Sequence, residues 1–450
     1  MSTGFQGIRT NSGQTTFGHR FRLEQSAERA PPAFLSASGA HVLAPEHNGR
    51  KEHSADGLRI RLFNVKYSPN LGDGLLSECL EKALIALGAN RDTWSIDLAA
   101  RQAYGDGLAG RRHIISALDR MPDWLRRQFI RVPLAIHGRR NWRPHYARRL
   151  EGANAAVIGG GNLISDIDLN FPTKLTLAIN EVERLGLPFV VYASGVTDNW
   201  TPRGTAMMRK AFSSHLLRGV FVRDKDSKVL WDRQLGDASR FEAHVVRDPG
   251  LLASEFIPPS RMYKAAPPVA GVGIMSHIAI RYHSEKAPGP SYLESWYIRL
   301  VKGLVSKGFH VAIFTNGSPE DVAYLARLRP RLEAIGGPIS FPVQETPSEL
   351  CAIISSLNVL VAYRMHAVIA SYSYKIPSVG LAWDRKLQSF MTSVGREAYL
   401  CDIRKTDPAA AVQLVCRAME EGIPDHEHRE VLGETWQGVS KLLGILEQAS

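Results

Sequence analysis

The sequence predicts an α/β protein of two domains, each a parallel β-sheet covered by helices on both faces. Three observations carry that prediction. The 450 residues exceed what one hydrophobic core ordinarily holds. Short apolar runs ending in glycine or polar residues alternate with stretches at helical spacing, the pattern of strands followed by crossover helices. The Pro-rich stretch "FIPPSRMYKAAPP" separates two such alternations and reads as a linker.

Taken in order, residues 1–56 are rich in Ser, Gly, Ala, Pro and His without periodicity and read as a flexible tail. The first domain, 57–257, opens with "LRIRLFNV" as a strand. Its first helix, "DGLLSECLEKALIALG", places Leu76, Cys79, Leu80, Ala83, Leu84 and Leu87 at helical spacing and stops at Gly88. "NAAVIGG", "LPFVVYASG" and "GVFVRD" read as further strands, with "LTLAINEVERLG" as a helix between them. The linker is set at 258–268 and the second domain at 269–433, with strands "VAGVGIM", "HVAIFTNG", "LNVLVAY" and "PSVGLAW". A C-terminal helix at 434–450 is free to pack on either domain.

Composition narrows the class. Apolar residues are 44% and charged residues 22% of the chain, close to the average for soluble proteins. There is no run of about 18 apolar residues and no secretory profile at the start, so neither membrane spanning nor export is expected. Cys79, Cys351, Cys401 and Cys416 form no CxxC pair and have no His cluster at zinc spacing. No metal site is therefore expected, and a reducing cytoplasm is the expected compartment.

The net charge of +11 favours anionic partners. Most of it lies between Arg111 and Arg149, where eleven arginines face only Asp119 and Asp123. This stretch, within an insertion at 101–150, interleaves arginine with Trp124, Leu125, Phe129, Ile130, Trp142 and Tyr146. The mixture suits peripheral contact with anionic lipid or a lipid pyrophosphate at the inner membrane face. A solvated insertion is the alternative. No recognised motif accompanies it that would point to nucleic acid.

In open α/β sheets ligands bind beyond the carboxyl ends of the strands, so strand-to-helix turns carry the candidate site. In "YSPNLGDGLLSE", Asp73 is placed to cap a helix or to serve as a catalytic or acceptor-hydroxyl contact. In "VIGGGNLIS", Gly160, Gly161 and Asn162 either make a tight turn or let backbone N–H groups approach a ligand oxygen. Ile164 replaces the last glycine of GxGxxG, and no lysine follows, so neither a dinucleotide fingerprint nor a P-loop is present. In "GVFVRDKDSKVLW", Arg223 ends a strand, as an ion-pair partner or a ligand contact, and Asp224 reads as a cap. In "LNVLVAYRMHAVIASYSYK", a buried strand delivers Arg364 and His366 to a helix N-terminus. Partial positive charge there favours a phosphate or carboxylate, which Arg364 can clamp, and the dipole disfavours imidazolium until an anion binds. His366 is thus a candidate proton donor or acceptor, against the alternative of a structural histidine.

These turns and their order resemble the polysaccharide pyruvyl transferase family over residues 58–400. The marks are "NLGDGLL", "VIGGGNL", "VRDKDS", "RDPGLL", "YRMHAVIAS" and "PSVGLAWDRKLQSF". The resemblance implies a GT-B-like fold of two Rossmann-like domains facing a cleft, the first on the acceptor side and the second on the phosphoenolpyruvate side. It implies an active-site arginine and histidine at Arg364 and His366, a second arginine at Arg223, and further contacts at Lys386 and Asp73. Where many relatives carry an arginine after the first strand of the second domain, this chain has His277. The implied reaction moves pyruvate from phosphoenolpyruvate to a sugar of an exopolysaccharide or its lipid-linked precursor as a cyclic ketal, releasing phosphate without a cofactor. Two rivals stand beside it. One is a GT-B glycosyltransferase using a nucleotide sugar, with Asp384 as the ribose carboxylate, and the other is a non-catalytic anion or glycan-binding protein.

Overall fold

Strand β1, Ile60–Asn64, is buried at every position, as a central strand of a parallel sheet covered on both faces must be. In the computed structural model, residues 57–106, 138–166, 168–260, 267–283, 288–382 and 384–450 are described. The expected tail 1–56, most of the basic stretch and part of the linker lie outside them.

The first domain continues with α1 (Leu71–Ala86), β2 (Trp94–Asp97), α2 (Arg143–Arg149), β3 (Ala155–Gly159), α3 (Asn170–Arg184) and β4 (Phe189–Ser194). It ends with α4 (Pro202–Phe212), β5 (Leu217–Val222), α5 (Lys225–Leu235), β6 (Ala243–Val245) and α6 (Ala253–Phe256). The second domain runs β7 (Val269–Gly273), α7 (His277–His283), α8 (Pro290–Ser306), β8 (His310–Phe314), α9 (Pro319–Glu333), β9 (Ile339–Ser340) and α10 (Pro347–Ser355). It closes with β10 (Val359–Ala362), α11 (Met365–Ser373), β11 (Ser378–Leu381), α12 (Arg385–Ser393), β12 (Leu400–Cys401) and α13 (Pro408–Glu421). A last helix, α14, spans Asp425–Ala449.

Each domain holds a six-stranded sheet, ordered β2-β1-β3-β4-β5-β6 and β12-β11-β10-β7-β8-β9, and every pairing is parallel. These are two Rossmann-like domains in a GT-B-like arrangement. The winding reverses beside β1, next to β3, and beside β7, next to β10. Crevices at the carboxyl ends of those strands are where such sheets bind ligands.

Helix α1 joins the two halves. Leu71, Leu75 and Cys79 belong to the core of the second domain, while Leu80, Ala83 and Leu84 pack on the sheet of the first. The Leu71 N–H donates to the Asn316 carbonyl after β8, at 2.8 Å. An apolar pattern on two sides of one helix is what a helix between two cores needs.

Helix α14 begins nine residues before the expected 434, because polar Asp425, Glu427 and His428 suit an exposed first turn but show no apolar periodicity. Trp436, Val439, Leu442, Leu443 and Leu446 cover the β1, β3, β4 and β5 face of the first sheet, so the chain returns to its first domain. Each such side chain contributes about 1.5–3 kcal/mol of burial.

The visible end of the basic stretch departs from the lipid-facing expectation. Trp142 and Tyr146 are buried in the first domain, and the Tyr146 hydroxyl donates to the Leu98 carbonyl at 2.7 Å. Their apolar faces serve the core rather than an interface. Among the described residues no helix is long and apolar enough to cross a membrane.

Candidate active site

The chemically loaded side chains converge where the turns after β1, β3 and β5 meet those after β10 and β11. Close backbone approach makes this convergence possible. A Cβ on Gly72 would fall 2.4 Å from the His366 Cβ and 2.7 Å from its Nδ1, so only glycine lets α1 and α11 meet there. Gly72→Ala is therefore expected to destabilise the fold by about 1–3 kcal/mol, read by urea denaturation. Wild-type stability in that variant would mean the two helices are not held in this contact.

His366 lies in the first turn of α11, 8% exposed, between two carboxyl groups. Its Nδ1 is 3.8 Å from Asp73 Oδ1 and its Nε2 is 3.9 Å from Asp248 Oδ2. Burial first, then the charges of Arg223, Lys386 and Arg364, hold the imidazole down at about 3, so it is neutral near pH 7. Burial pushes the Asp248 carboxyl up to about 6, against the Gly250 N–H and Arg223. Burial likewise raises Asp73, opposed by hydrogen bonds from Ser68 and Asn70 and by Arg101 and Arg364.

Asp73 is not the helix cap the sequence allows. Asn70 holds the N-cap position, and Asp73 sits in the first turn with its carboxylate turned to His366. Asp224 does cap, accepting from the Ser227 N–H at 2.6 Å.

The turns after β3, β4 and β5 lock together beneath Arg223. Its Nε donates to Asp224 Oδ2 at 3.2 Å and its Nη2 to Asn162 Oδ1 at 3.4 Å. The Gly195 N–H donates to the Gly161 carbonyl at 2.8 Å, and a Cβ on Gly195 would fall 2.4 Å from Arg223 Nη2. Gly160 and Gly161 adopt φ of +84° and +71°, which few other residues tolerate. Ala193 also has positive φ, 49°, where the register of β4 against β5 shifts, and this bulge carries Gly195 under the guanidinium.

Across the domain boundary, Arg364 is held by the fully buried Asp321 of α9, whose Oδ2 accepts from Nε at 2.9 Å and from Nη2 at 2.5 Å. The other oxygen of Asp321 accepts from the Ser276 N–H after β7 at 2.8 Å. Lys386, in the first turn of α12, has its ammonium lowered to about 8, by burial and then by Arg223.

A cleft of 1140 Å³ opens over this region, lined among others by Arg223, Asp248, Met365, Arg385, Lys386 and Lys441. His366 and Asp73 do not line it but adjoin Asp248, which does. Asp73, Gly161, Asn162, Arg223, Arg364, His366 and Lys386 are thus brought together. His277 is not drawn in, because its ring packs near Tyr324, centroids 6.4 Å apart, and Arg327 and Arg281 are the charges that act on it. The sequence reading missed Asp248, Asp321, Gly72 and Gly195 as parts of the site. Asp248 was visible within "RDPGLL", but Asp-Pro-Gly reads first as a turn. Among the described residues no group of three or more His, Cys, Asp or Glu is placed to hold a metal ion.

Comparison with solved structures finds the fold in a UDP-N-acetylglucosamine 2-epimerase described as putative, from Listeria monocytogenes. It aligns with a TM-score of 0.51 and 9% identity over 87% of this chain and 96% of that one. The UDP-GlcNAc 2-epimerase of Methanocaldococcus jannaschii aligns with a TM-score of 0.49 and 11% identity, over 86% and 99%. No curated protein sequence matches. A family model for polysaccharide pyruvyl transferase matches residues 70–385, which takes in Asp73, Gly161, Asn162, Arg223, Asp248, Arg364 and His366 and ends one residue before Lys386. The chain belongs to the polysaccharide pyruvyl transferase family.

Proposed function

We propose that this chain transfers pyruvate from phosphoenolpyruvate to a sugar of an exopolysaccharide, or of its lipid-linked precursor, as a cyclic ketal with release of phosphate. The observation that carries this reading is a pair of cleft cations, Arg223 and Lys386, with Asp248 lining the same cleft and His366 and Asp73 arrayed beside it. Phosphoenolpyruvate carries a carboxylate and a phosphate. Arg223, held flat by Asn162 and Asp224, offers a planar fork to one anion, and Lys386 offers a point charge to the other. Arg364 adds positive charge through Nη1, which takes no part in its pairing with Asp321.

The bound anion would raise the proton affinity of the array, so binding and protonation support each other. A proton delivered to the methylene carbon makes C2 electrophilic. One sugar hydroxyl adds to C2 and loses its proton, the C2–O bond to phosphate breaks, and a second hydroxyl adds to close the ketal. The sum balances with no redox co-reactant. His366, at the centre of the array, takes part in proton transfer in this reading. An acceptor carried on a lipid pyrophosphate would meet exposed Arg140 and Arg148, at the described end of the arginine-rich stretch.

The glycosyltransferase alternative is weakened because Asp384 is already engaged, its Oδ1 accepting from the Leu387 N–H at 3.0 Å to cap α12. Incubation with phosphoenolpyruvate and sugar acceptors is expected to release phosphate in an acceptor-dependent way, while a panel of nucleotide sugars gives no glycosyl product. Glycosyl transfer without phosphate release would establish the rival enzyme. Thermal stabilisation by these ligands without any product would make the chain a binding protein.

A further inference from the structure

We infer that Asp248, rather than His366, is the group that exchanges the proton with the substrate in the cleft, and that His366 passes protons between Asp248 and Asp73. The inference rests on the pyruvyl-transfer reading above. Asp248 lines the cleft together with Arg223 and Lys386, whereas His366 and Asp73 do not. Its carboxyl group is fixed at one end, where Oδ1 accepts from the Gly250 N–H at 2.9 Å. The other oxygen, Oδ2, faces His366 Nε2 at 3.9 Å, and neither atom has another hydrogen-bond partner among the described residues. On the far side of the ring, Nδ1 faces Asp73 Oδ1 at 3.8 Å. Shortening each gap by about 1 Å completes two hydrogen bonds, a tightening common in substrate complexes.

The environment points the same way. Burial raises the Asp248 carboxyl to about 6 and lowers His366 to about 3, so near neutral pH the carboxyl holds far more of the available proton. The groups facing Asp248 are Arg223 after β5, Asp73 on α1, His366 on α11 and the Tyr192 phenol on β4. Lys386 on α12, Glu434 and Lys441 on α14, and neighbouring Arg247 share its cleft. Arg223 lowers its proton affinity and Asp73 raises it.

In the step itself, protonated Asp248 gives its proton to the methylene carbon and becomes a carboxylate. Of the two hydroxyl protons released as the ketal closes, one leaves with phosphate and the other returns to Asp248 by way of Asp73 and His366. Between turnovers the Nε2–H of His366 can refill Asp248 while Nδ1 takes a proton from Asp73, so the ring is neutral before and after.

The test compares phosphate release by wild type, Asp248→Asn and Asp248→Glu between about pH 5 and 9, with deuterium exchange at the phosphoenolpyruvate methylene as a second readout. A general acid must be protonated, so wild-type kcat/KM should fall as pH rises through about 6. Asp248→Asn is expected to lose about 10²-fold or more in kcat and the exchange signal, keep KM for phosphoenolpyruvate within about threefold, and lack that limb. Asp248→Glu should restore part of the rate, and it carries the test if the asparagine variant does not fold. An asparagine variant within about threefold of wild-type kcat that retains the limb would place the donor on His366 and overturn the inference. Loss of phosphoenolpyruvate binding in both variants would make Asp248 a binding group, with the same result. No phosphate release from wild type would overturn the pyruvyl-transfer reading itself, and this inference with it.

Discussion

His366→Ala is expected to lower kcat for phosphate release by about 10²–10⁴-fold while leaving KM for phosphoenolpyruvate within about threefold. The anion contacts are assigned to Arg223 and Lys386, which the change leaves in place, whereas the link between Asp73 and Asp248 is cut. The same variant should change how stability depends on pH. In the folded protein His366 sits at about 3, below its ordinary 6.5, so its contribution is present above 6.5 and is lost as pH falls toward 3. At about 1.4 kcal/mol per unit this amounts to roughly 5 kcal/mol. Asp248, raised from 3.8 to about 6, behaves oppositely, with its contribution present below 3.8 and lost as pH rises through about 6. Between about pH 4 and 6 the two slopes oppose each other. Relative to wild type, His366→Ala should lose stability as pH rises across that window, and Asp248→Asn should gain it. Urea unfolding at several pH values reads both slopes, and curves parallel to wild type would show that neither group is buried as described.

How much of this was legible in the sequence follows from how local each feature is. The central strands β1, β3, β4, β5, β7, β8, β10 and β11 are mostly apolar on both faces, so each announces itself as an apolar run, interrupted by Arg61 in β1 and Arg218 in β5. The edge strands β2, β6, β9 and β12 are two to four residues long and partly polar, as in "WSID" and "AHV", and carry no such signal. Arg223, Arg364 and His366 were legible because charge at the end of a buried strand has few structural uses. Asp248 and Asp321 were not, because a carboxylate in a turn or in the first turn of a helix is ordinary. Their partners lie more than a hundred residues away for Asp248 with His366, and 43 away for Asp321 with Arg364.

The two domains share a site through α1. Its apolar stripes commit Leu71, Leu75 and Cys79 to one core and Leu80, Ala83 and Leu84 to the other, which fixes where its first turn lands. That turn brings Gly72 against His366 and Asp73 within 3.8 Å of the ring, so His366 of the second domain is positioned by glycine and carboxylate from the first. Domain packing and site assembly are therefore a single event in this chain, and substitutions in α1 should act on both.

Asp321→Ala is expected to destabilise the protein by about 3–5 kcal/mol, more than an exposed ion pair contributes, because it leaves a largely buried Arg364 with only the longer, partly exposed contact to Glu320. Asp321 is fully buried and ties three turns together, those after β7, β8 and β10, by accepting from Ser276 N–H and from Arg364 Nε and Nη2. Those are the turns around the winding reversal of the second sheet. Without the carboxylate, Arg364 keeps Glu320, whose Oε1 lies 3.7 Å from Nη2, and can swing toward an anion in the cleft. Tighter phosphoenolpyruvate binding at lower stability would then follow if the arginine is a ligand contact restrained by Asp321. Weaker binding would follow if its fixed orientation is what the ligand needs. Asp321→Asn keeps an acceptor for the Ser276 N–H and should cost less than the alanine change. Urea denaturation of both variants separates the charge from the hydrogen bond, and an alanine variant within about 1 kcal/mol of wild type would show that the pair does not hold the three turns together.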